Sequence, residues 1–114
     1  IIVKDGQPFM AVGAAGGPKI ITATLQTILN VIDFDMDVSD AVAAPRIHHQ
    51  WSPDYLYVST EIAPDVVHLL RQMGHSAVHY TPGSVVQAVM FDPETGLYFG
   101  AADPRFIGTA RGVR

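Results

Sequence analysis

A pair of glycines followed by a proline, Gly16-Gly17-Pro18, most constrains how this sequence can fold, because it separates two apolar runs at residues 9–12 and 20–32. Proline has φ near the helical value and lacks the N–H that a first helical position leaves unused, so a helix is predicted to begin at Pro18. The glycines then lie at the mouth of that helix. Free N–H groups and the positive end of the helix dipole favour a phosphate, a carboxylate or the oxyanion of a reacting carbonyl there. The alternative interpretation is a tight turn that needs φ > 0 and binds nothing.

The composition restricts the class of protein. The chain has 114 residues, of which 48% are hydrophobic, and this is enough for one domain with a core. The net charge of −4 and the seven scattered Lys and Arg residues predict neither a nucleic-acid partner nor a membrane surface. Polar residues interrupt the apolar run at 20–32, so no membrane-spanning segment is predicted. Because the sequence begins at Ile1, inside a predicted strand, we expect it to be part of a longer chain.

The first half of the chain is predicted to form two strands and two helices. An Asp5-Gly6 turn joins short strands at residues 1–3 and 8–13. Asp37 is predicted to cap a short second helix that ends before Pro45. The first helix is expected to be a core helix, covered on more than one side, whose main apolar face consists of Ile21, Leu25, Ile28 and Ile32 and is widened by Ile20, Leu29 and Val31.

The second half is predicted to contain an extended segment, a strand, an amphipathic helix, a strand and a hairpin, at residues 46–51, 55–58, 64–73, 76–80, and 85–91 with 97–101. The apolar stripe of the helix, which is expected to cover one face of a sheet, consists of Val66, Val67, Leu69, Leu70 and Met73. Strand hairpins mixed with helices, without regular alternation of strand and helix, favour an α+β layer structure over a doubly wound one.

Neither the histidines nor the Asp103-Pro104-Arg105 turn predicts a catalytic or metal site. His48 and His49 are adjacent on an extended segment, so their side chains are expected to point to opposite faces. The five histidines form no recognisable ligand set, and there is no cysteine, so we predict no metal and no cofactor. Asp103 and Arg105 are expected to form a structural ion pair that fixes the C-terminal tail, since a general base would need a partner that the sequence does not supply.

Four stretches, in order along the chain, resemble the gamma-glutamyltranspeptidase family. They are the Gly-x-x-Gly-Gly turn and three segments beyond it, at residues 13–17, 20–26, 44–51 and 103–105. Together they are similar to the C-terminal part of the family's small subunit, and the resemblance covers nearly all of residues 1–114. It implies part of an N-terminal-nucleophile hydrolase fold, an αββα sandwich of antiparallel sheets with covering helices, in one domain that is incomplete without upstream residues.

The resemblance also implies a chemistry. In this family a precursor cuts itself, and the new N-terminal threonine of the small subunit attacks the gamma-glutamyl amide of glutathione or a similar donor. The acyl group then passes to water, an amino acid or a peptide. The backbone N–H groups of the family's oxyanion hole match Gly16 and Gly17 by position, although Ala14-Ala15 stands where many relatives have Ser-Pro. The nucleophile and the donor-binding residues would lie upstream of Ile1.

Three functions remain open at this point. The first is a gamma-glutamyltransferase or glutathione hydrolase that works only when joined to the upstream residues, so that the isolated chain is inactive. The others are a cephalosporin or glutaryl acylase on the same scaffold and a catalytically silent fold-mate with an interaction or structural role. The resemblance implies as partners the large subunit and the upstream part of the small subunit, and as compartment the periplasm or the extracellular space. An isolated part of a sheet exposes an edge and an apolar face, so the isolated chain is expected to self-associate.

Overall fold

The computed structural model describes residues 1–81 and 83–112, which form two β-sheets and three covering helices. Within these residues the elements follow one another in the predicted order of strands and helices. They are β1 (Ile2–Lys4), β2 (Gln7–Ala15), α1 (Lys19–Ile32), α2 (Val38–Ala43), β3 (Ile47–His48), β4 (Leu56–Ser59), α3 (Pro64–Gln72), β5 (Ala77–Tyr80), β6 (Val85–Asp92) and β7 (Leu97–Ala102).

The larger sheet is antiparallel throughout and has the strand order β1-β2-β6-β7. The predicted Asp5-Gly6 turn joins its first two strands, and both residues have positive φ, 52° and 77°, as a tight two-residue hairpin requires. The β6–β7 hairpin closes over a loop in which the N–H of Gly96 donates to the Asp92 carbonyl at 2.8 Å. In the centre of the sheet, the last residue of β2, Ala15, pairs with Val85 on β6.

The larger sheet and the first two helices share the main core. It consists of Met10, Val86, Ala88 and Ala101 from the sheet, Ala23 and Val31 from α1, and Val38, Ala41 and Val42 from α2. Asp37 caps α2 as predicted, since its Oδ1 accepts hydrogen bonds from the N–H groups of Ser39 and Asp40 at 2.8 and 2.9 Å.

The predicted core face of α1 is wrong for this chain. The side of the helix that packs on the sheet carries the small residues Ala23 and Thr27 together with Val31, whereas Ile21 is 73% exposed and Leu25 51% exposed. Small side chains let the helix approach the sheet closely, and the Thr27 hydroxyl donates to the Ala23 carbonyl at 2.9 Å, so its burial leaves no unpaired polar group. The helix is therefore covered on one side, and its long aliphatic face is uncovered within the described residues.

The smaller sheet has the order β3-β4-β5 and its own core of Leu56, Val58, Val67 and Ala77. Its β4 and β5 strands pair in parallel, unlike the antiparallel pairing expected, because α3 connects them by the crossover that a parallel pair needs. Only Val67 of the predicted α3 stripe is fully buried, and Met73 is 73% exposed. Three short strands are too narrow to cover the whole apolar stripe. In the described part of the chain, no helix has the length and apolar character needed to cross a bilayer.

Candidate active site

The Gly16-Gly17 turn connects β2, in the middle of the larger sheet, to the first turn of α1. Gly16 has a φ of 136° and Gly17 a φ of 59°, so both have the positive φ that the sequence suggests for a tight strand-to-helix turn. Pro18 already has helical φ and ψ, −62° and −21°, and precedes the first helical residue, Lys19. The carbonyls of the two glycines accept hydrogen bonds from Lys19 and Ile20 at 3.3 and 3.1 Å, which closes the turn.

The N–H groups of the two glycines take no part in the hydrogen bonds that close the turn. Outside the strand and helix ladders, no backbone carbonyl in residues 1–81 and 83–112 accepts a hydrogen bond from the N–H of Gly16 or Gly17. The N-terminal end of a helix leaves such donors without partners and adds the positive end of the helix dipole. The turn can therefore bind an anion or a developing oxyanion.

The two glycines are needed for different reasons. A Cβ atom on Gly16 would lie 2.6 Å from the Gly83 carbonyl oxygen and 2.7 Å from Ser84 Cα, so only glycine fits against that backbone. A Cβ atom on Gly17 would meet no atom within 4 Å among the described residues other than its two chain neighbours. Gly16 is thus the packed side of the turn, and Gly17 is the open side, where a ligand has room.

A buried ion pair lies behind the packed side. Arg46 Nη2 donates to Asp103 Oδ2 at 2.7 Å, and these side chains are only 2% and 0% exposed. The second oxygen of Asp103 accepts from Arg105, through the backbone N–H at 3.0 Å and through Nη1 at 3.1 Å. The Asp103–Arg105 pair expected from the sequence is therefore present, and Arg46 is an additional partner that the sequence did not reveal.

The carboxylate of Asp103 is stabilised in its ionised form. Burial alone would raise its pKa, but the N–H groups of Val86 and Arg105 and the guanidinium of Arg46 all donate to it and together hold the pKa below its ordinary value. Both oxygens are occupied by donors from the chain itself, so Asp103 has a structural role and is not placed as a general base.

Polar contacts from α1 to the smaller sheet orient the helix and so the turn at its N-terminus. The side-chain amide of Gln26 acts like a strand partner for Ile47, accepting from its N–H at 2.9 Å and donating to its carbonyl at 2.7 Å. Thr22 Oγ1 lies 2.8 Å from Nδ1 of His48, which is buried. The Lys19 ammonium lies 4.5 Å from the centre of the Tyr80 ring. These contacts fix the first turns of α1 relative to β3 and β5.

The histidines do not come together as a ligand set. His48 is buried and His49 is on the opposite, exposed side, where its Nε2 lies 3.0 Å from Asp54 Oδ1. In the described parts of the chain, no group of three or more His, Asp or Glu side chains could hold a metal ion.

Comparison with known proteins identifies the family to which this chain is similar. The model of the gamma-glutamyltranspeptidase family matches residues 1–113. The glutathione hydrolase proenzyme of Escherichia coli K12 is 41% identical over 107 residues, which cover 94% of this chain and 18% of that protein. A crystal structure of a mutant Helicobacter pylori gamma-glutamyltranspeptidase superposes with a TM-score of 0.89 at 40% identity and covers 93% of this chain and 59% of that one. A cephalosporin acylase from Bacillus halodurans has a TM-score of 0.81 at 26% identity and covers 90% and 19%.

These similarities extend along nearly the whole chain, which spans about a fifth of the length of the curated relatives it matches. The α+β fold, with its antiparallel sheet and covering helices, is part of the N-terminal-nucleophile hydrolase fold, as the family resemblance implies. The sequence match and the shared structure show that this chain belongs to the gamma-glutamyltranspeptidase family.

Proposed function

We propose that this chain is the C-terminal portion of the small subunit of a gamma-glutamyltransferase or glutathione hydrolase, and that Gly16 and Gly17 form its oxyanion hole. The observation that carries the proposal is the turn itself. Two glycines with positive φ leave their N–H groups free of backbone acceptors at the N-terminus of α1, within the part of the chain that the structure describes. The 41% identity to a glutathione hydrolase proenzyme supports the choice of substrate class.

The proposed reaction begins when a threonine hydroxyl, contributed by residues upstream of this chain, attacks the carbonyl carbon of a gamma-glutamyl amide. A C–O bond forms, and the carbonyl π electrons move to oxygen as a tetrahedral oxyanion. When the oxyanion collapses, the C–N bond breaks and the amine leaves with the proton that the hydroxyl gave up. Water or an acceptor amine then attacks the ester through a second oxyanion, whose collapse breaks the ester C–O bond and restores the threonine hydroxyl with the proton that the attacking group gives up. Donors at Gly16 and Gly17 would stabilise both transition states more than the bound substrate.

The test uses the full-length precursor. We expect self-cleavage to appear on a denaturing gel together with turnover of a gamma-glutamyl anilide. Replacement of the newly exposed threonine by alanine should abolish turnover. A precursor that cleaves itself correctly and still shows no turnover with gamma-glutamyl donors would refute the proposed function.

A cephalosporin or glutaryl acylase is the second candidate, because the Bacillus halodurans acylase superposes on this chain with a TM-score of 0.81. The two functions differ in the acyl group, since a gamma-glutamyl group carries an α-ammonium that a glutaryl group lacks. Matched gamma-glutamyl and glutaryl anilides therefore separate them by the ratio of kcat/KM. Turnover of neither substrate, with no nucleophile at the cleavage site, would support a silent structural or interaction protein instead.

The uncovered face of α1 supports the proposed partners. Large apolar side chains are exposed along it and just beyond its end, namely Ile21, Leu25, Ile32 and Phe34. Monomeric proteins rarely expose such a contiguous apolar surface. We propose that the large subunit and the upstream part of the small subunit cover it, and that the assembled enzyme acts in the periplasm or outside the cell on a donor such as glutathione.

A further inference from the structure

We propose that Arg46, held in place by Asp103, is a positioning residue for the oxyanion hole and acts through the backbone of Gly83 and Ser84. This inference rests on the proposed function of Gly16 and Gly17. The inference starts from one contiguous stack of contacting residues, which runs from Asp103 through Arg46 and Ser84 to Gly16. These residues come from distant parts of the chain.

The contact between the stack and the turn is direct. Arg46 Nη1 donates to the Ser84 carbonyl at 3.3 Å and lies 3.5 Å from its hydroxyl. Ser84 Cα in turn lies 2.7 Å from the position that a Gly16 Cβ would occupy, and the Gly83 carbonyl lies 2.6 Å from it. Ser84 therefore lies against both the guanidinium and the glycine turn, and it is 1% exposed. A shift of the Ser84 backbone would change the surface on which Gly16 packs.

Arg46 can support this backbone because its own position is fixed from several directions. Its guanidinium donates to Asp103 and to the Val42 carbonyl at the end of α2, and its backbone N–H donates to Ser59 Oγ at 3.0 Å. The side chain is 2% exposed, and removing its carboxylate partner would leave a buried charge uncompensated. The planar guanidinium presents several N–H groups in a fixed geometry, which the single ammonium of lysine does not reproduce.

Oxyanion stabilisation depends on donors that are already in place when the charge develops. A misplacement of about 1 Å, even one caused from outside the reacting groups, costs on the order of a hundredfold in rate. If Arg46 sets the position of the turn, then weakening its hold on Ser84 should lower kcat and change KM much less. A residue with only a structural role would reduce the amount of folded enzyme and leave the rate per active site unchanged.

Arg105 supplies the matched control. It donates to the same carboxylate, at 3.1 Å, and to the Ala43 and Ala44 carbonyls at 2.7 and 3.0 Å, so it also lies at the end of α2. Unlike Arg46, it makes no hydrogen bond to Ser84 within residues 1–81 and 83–112. Arg46→Lys and Arg105→Lys therefore disturb the same buried cluster. Only Arg46→Lys also changes the hydrogen bonds to Ser84, on which Gly16 of the turn packs.

The experiment compares the two variants in the full-length, self-cleaved protein with a gamma-glutamyl anilide, with rates divided by the concentration of active sites from a burst titration. We expect Arg46→Lys to lower kcat by about 10- to 100-fold with KM changed less than about threefold. Arg105→Lys should leave kcat within about threefold of the wild type. Equal kcat in Arg46→Lys and the wild type, or equal losses in both variants, would overturn the proposal.

Crystal structures of both variants give a readout that does not depend on activity. The separation between the Cα atoms of Gly16 and Ser84 should increase in Arg46→Lys and stay unchanged in Arg105→Lys. If Arg46→Lys fails to self-cleave, Asp103→Asn is compared with Arg105→Lys instead, because Asp103→Asn weakens the hold on both arginines with little change in volume and any loss of kcat beyond that of Arg105→Lys is then due to Arg46. An inactive wild-type enzyme would refute the proposed function, whereas an unmoved turn in the variants would refute the positioning role.

Discussion

Replacing Gly17 by valine in the full-length enzyme should lower kcat about a hundredfold to a thousandfold, with a much smaller change in KM. The φ of 59° at Gly17 lies in the left-handed region, where a β-branched side chain is strained. Space is not the obstacle, because no atom of the described residues lies within 4 Å of a Cβ at this position. The variant is therefore expected to relieve the strain by rotating the backbone, which turns the N–H away from the oxyanion.

The magnitude follows from the two energies involved. The left-handed conformation costs an L-residue roughly 1–2 kcal/mol, which favours the rotation. Loss of one oxyanion-hole donor costs about 2.7–4 kcal/mol in the transition state, which corresponds to the expected fall in kcat. Asparagine tolerates the left-handed region better than other residues, so Gly17→Asn should lose much less rate than Gly17→Val, with Gly17→Ala between them.

Gly6 provides the matched control for this series. It also has positive φ, 77°, and a Cβ added there would meet no non-neighbouring atom of the described chain within 4 Å, but it lies in the exposed β1–β2 hairpin. Gly6→Val should therefore carry similar backbone strain and leave kcat unchanged. The assay is steady-state turnover of a gamma-glutamyl anilide per titrated active site, after the fraction of cleaved precursor has been measured. An unchanged kcat in a folded, fully processed Gly17→Val variant would show that the glycines form only a turn.

Three further outcomes are expected. The purified 114-residue chain should show no turnover of a gamma-glutamyl anilide above a heat-treated control, because the proposed nucleophile is not part of it. The same chain should self-associate in sedimentation experiments through the apolar face of α1, and a monomer at high concentration without binding of a hydrophobic dye would contradict this. Because the pKa of Asp103 is lowered on folding, its ionised form stabilises the protein above the unfolded-state pKa of about 4, and this contribution is lost as the pH falls through the lower folded-state value. Asp103→Asn should therefore lower Tm most above about pH 5. A Tm difference that stays constant down to about pH 2 would contradict the lowered pKa of Asp103 in the folded protein.

Local sequence signals predicted much of the fold because each depends on a few neighbouring residues. The Asp5-Gly6 pair gives the hairpin, the Asp37 carboxylate caps α2, and Gly16-Gly17-Pro18 marks the end of β2 and the start of α1. In each case the residue type has a conformational or hydrogen-bonding property that few alternatives share. The order of strands and helices followed from these signals.

The buried face of α1 could not be predicted in the same way. Its periodicity shows several apolar sides, and the pattern does not say which of them packs on the sheet of this chain and which is left for another part of the protein. The sheet takes the side with Ala23 and Thr27, because small side chains permit the closest approach, and the longer residues face outward. A helix that is apolar on more than one side has more than one surface to bury, and the described residues cover only one of them.

The residues that support the candidate site could not be predicted from the sequence either, because they are far apart along the chain. Asp103 has a cation two residues away in Arg105, so the sequence offered a complete local explanation for it, while its buried partner Arg46 is 57 residues distant. A buried ion pair contributes little net stability compared with apolar residues of similar volume, so stability alone is a weak reason for this one. Its hydrogen bond to the Ser84 carbonyl also connects the ion pair to a residue on which Gly16 packs. In the proposed site, the turn would supply the donors through local backbone geometry, and a charge network built from distant segments would hold the backbone on which Gly16 packs.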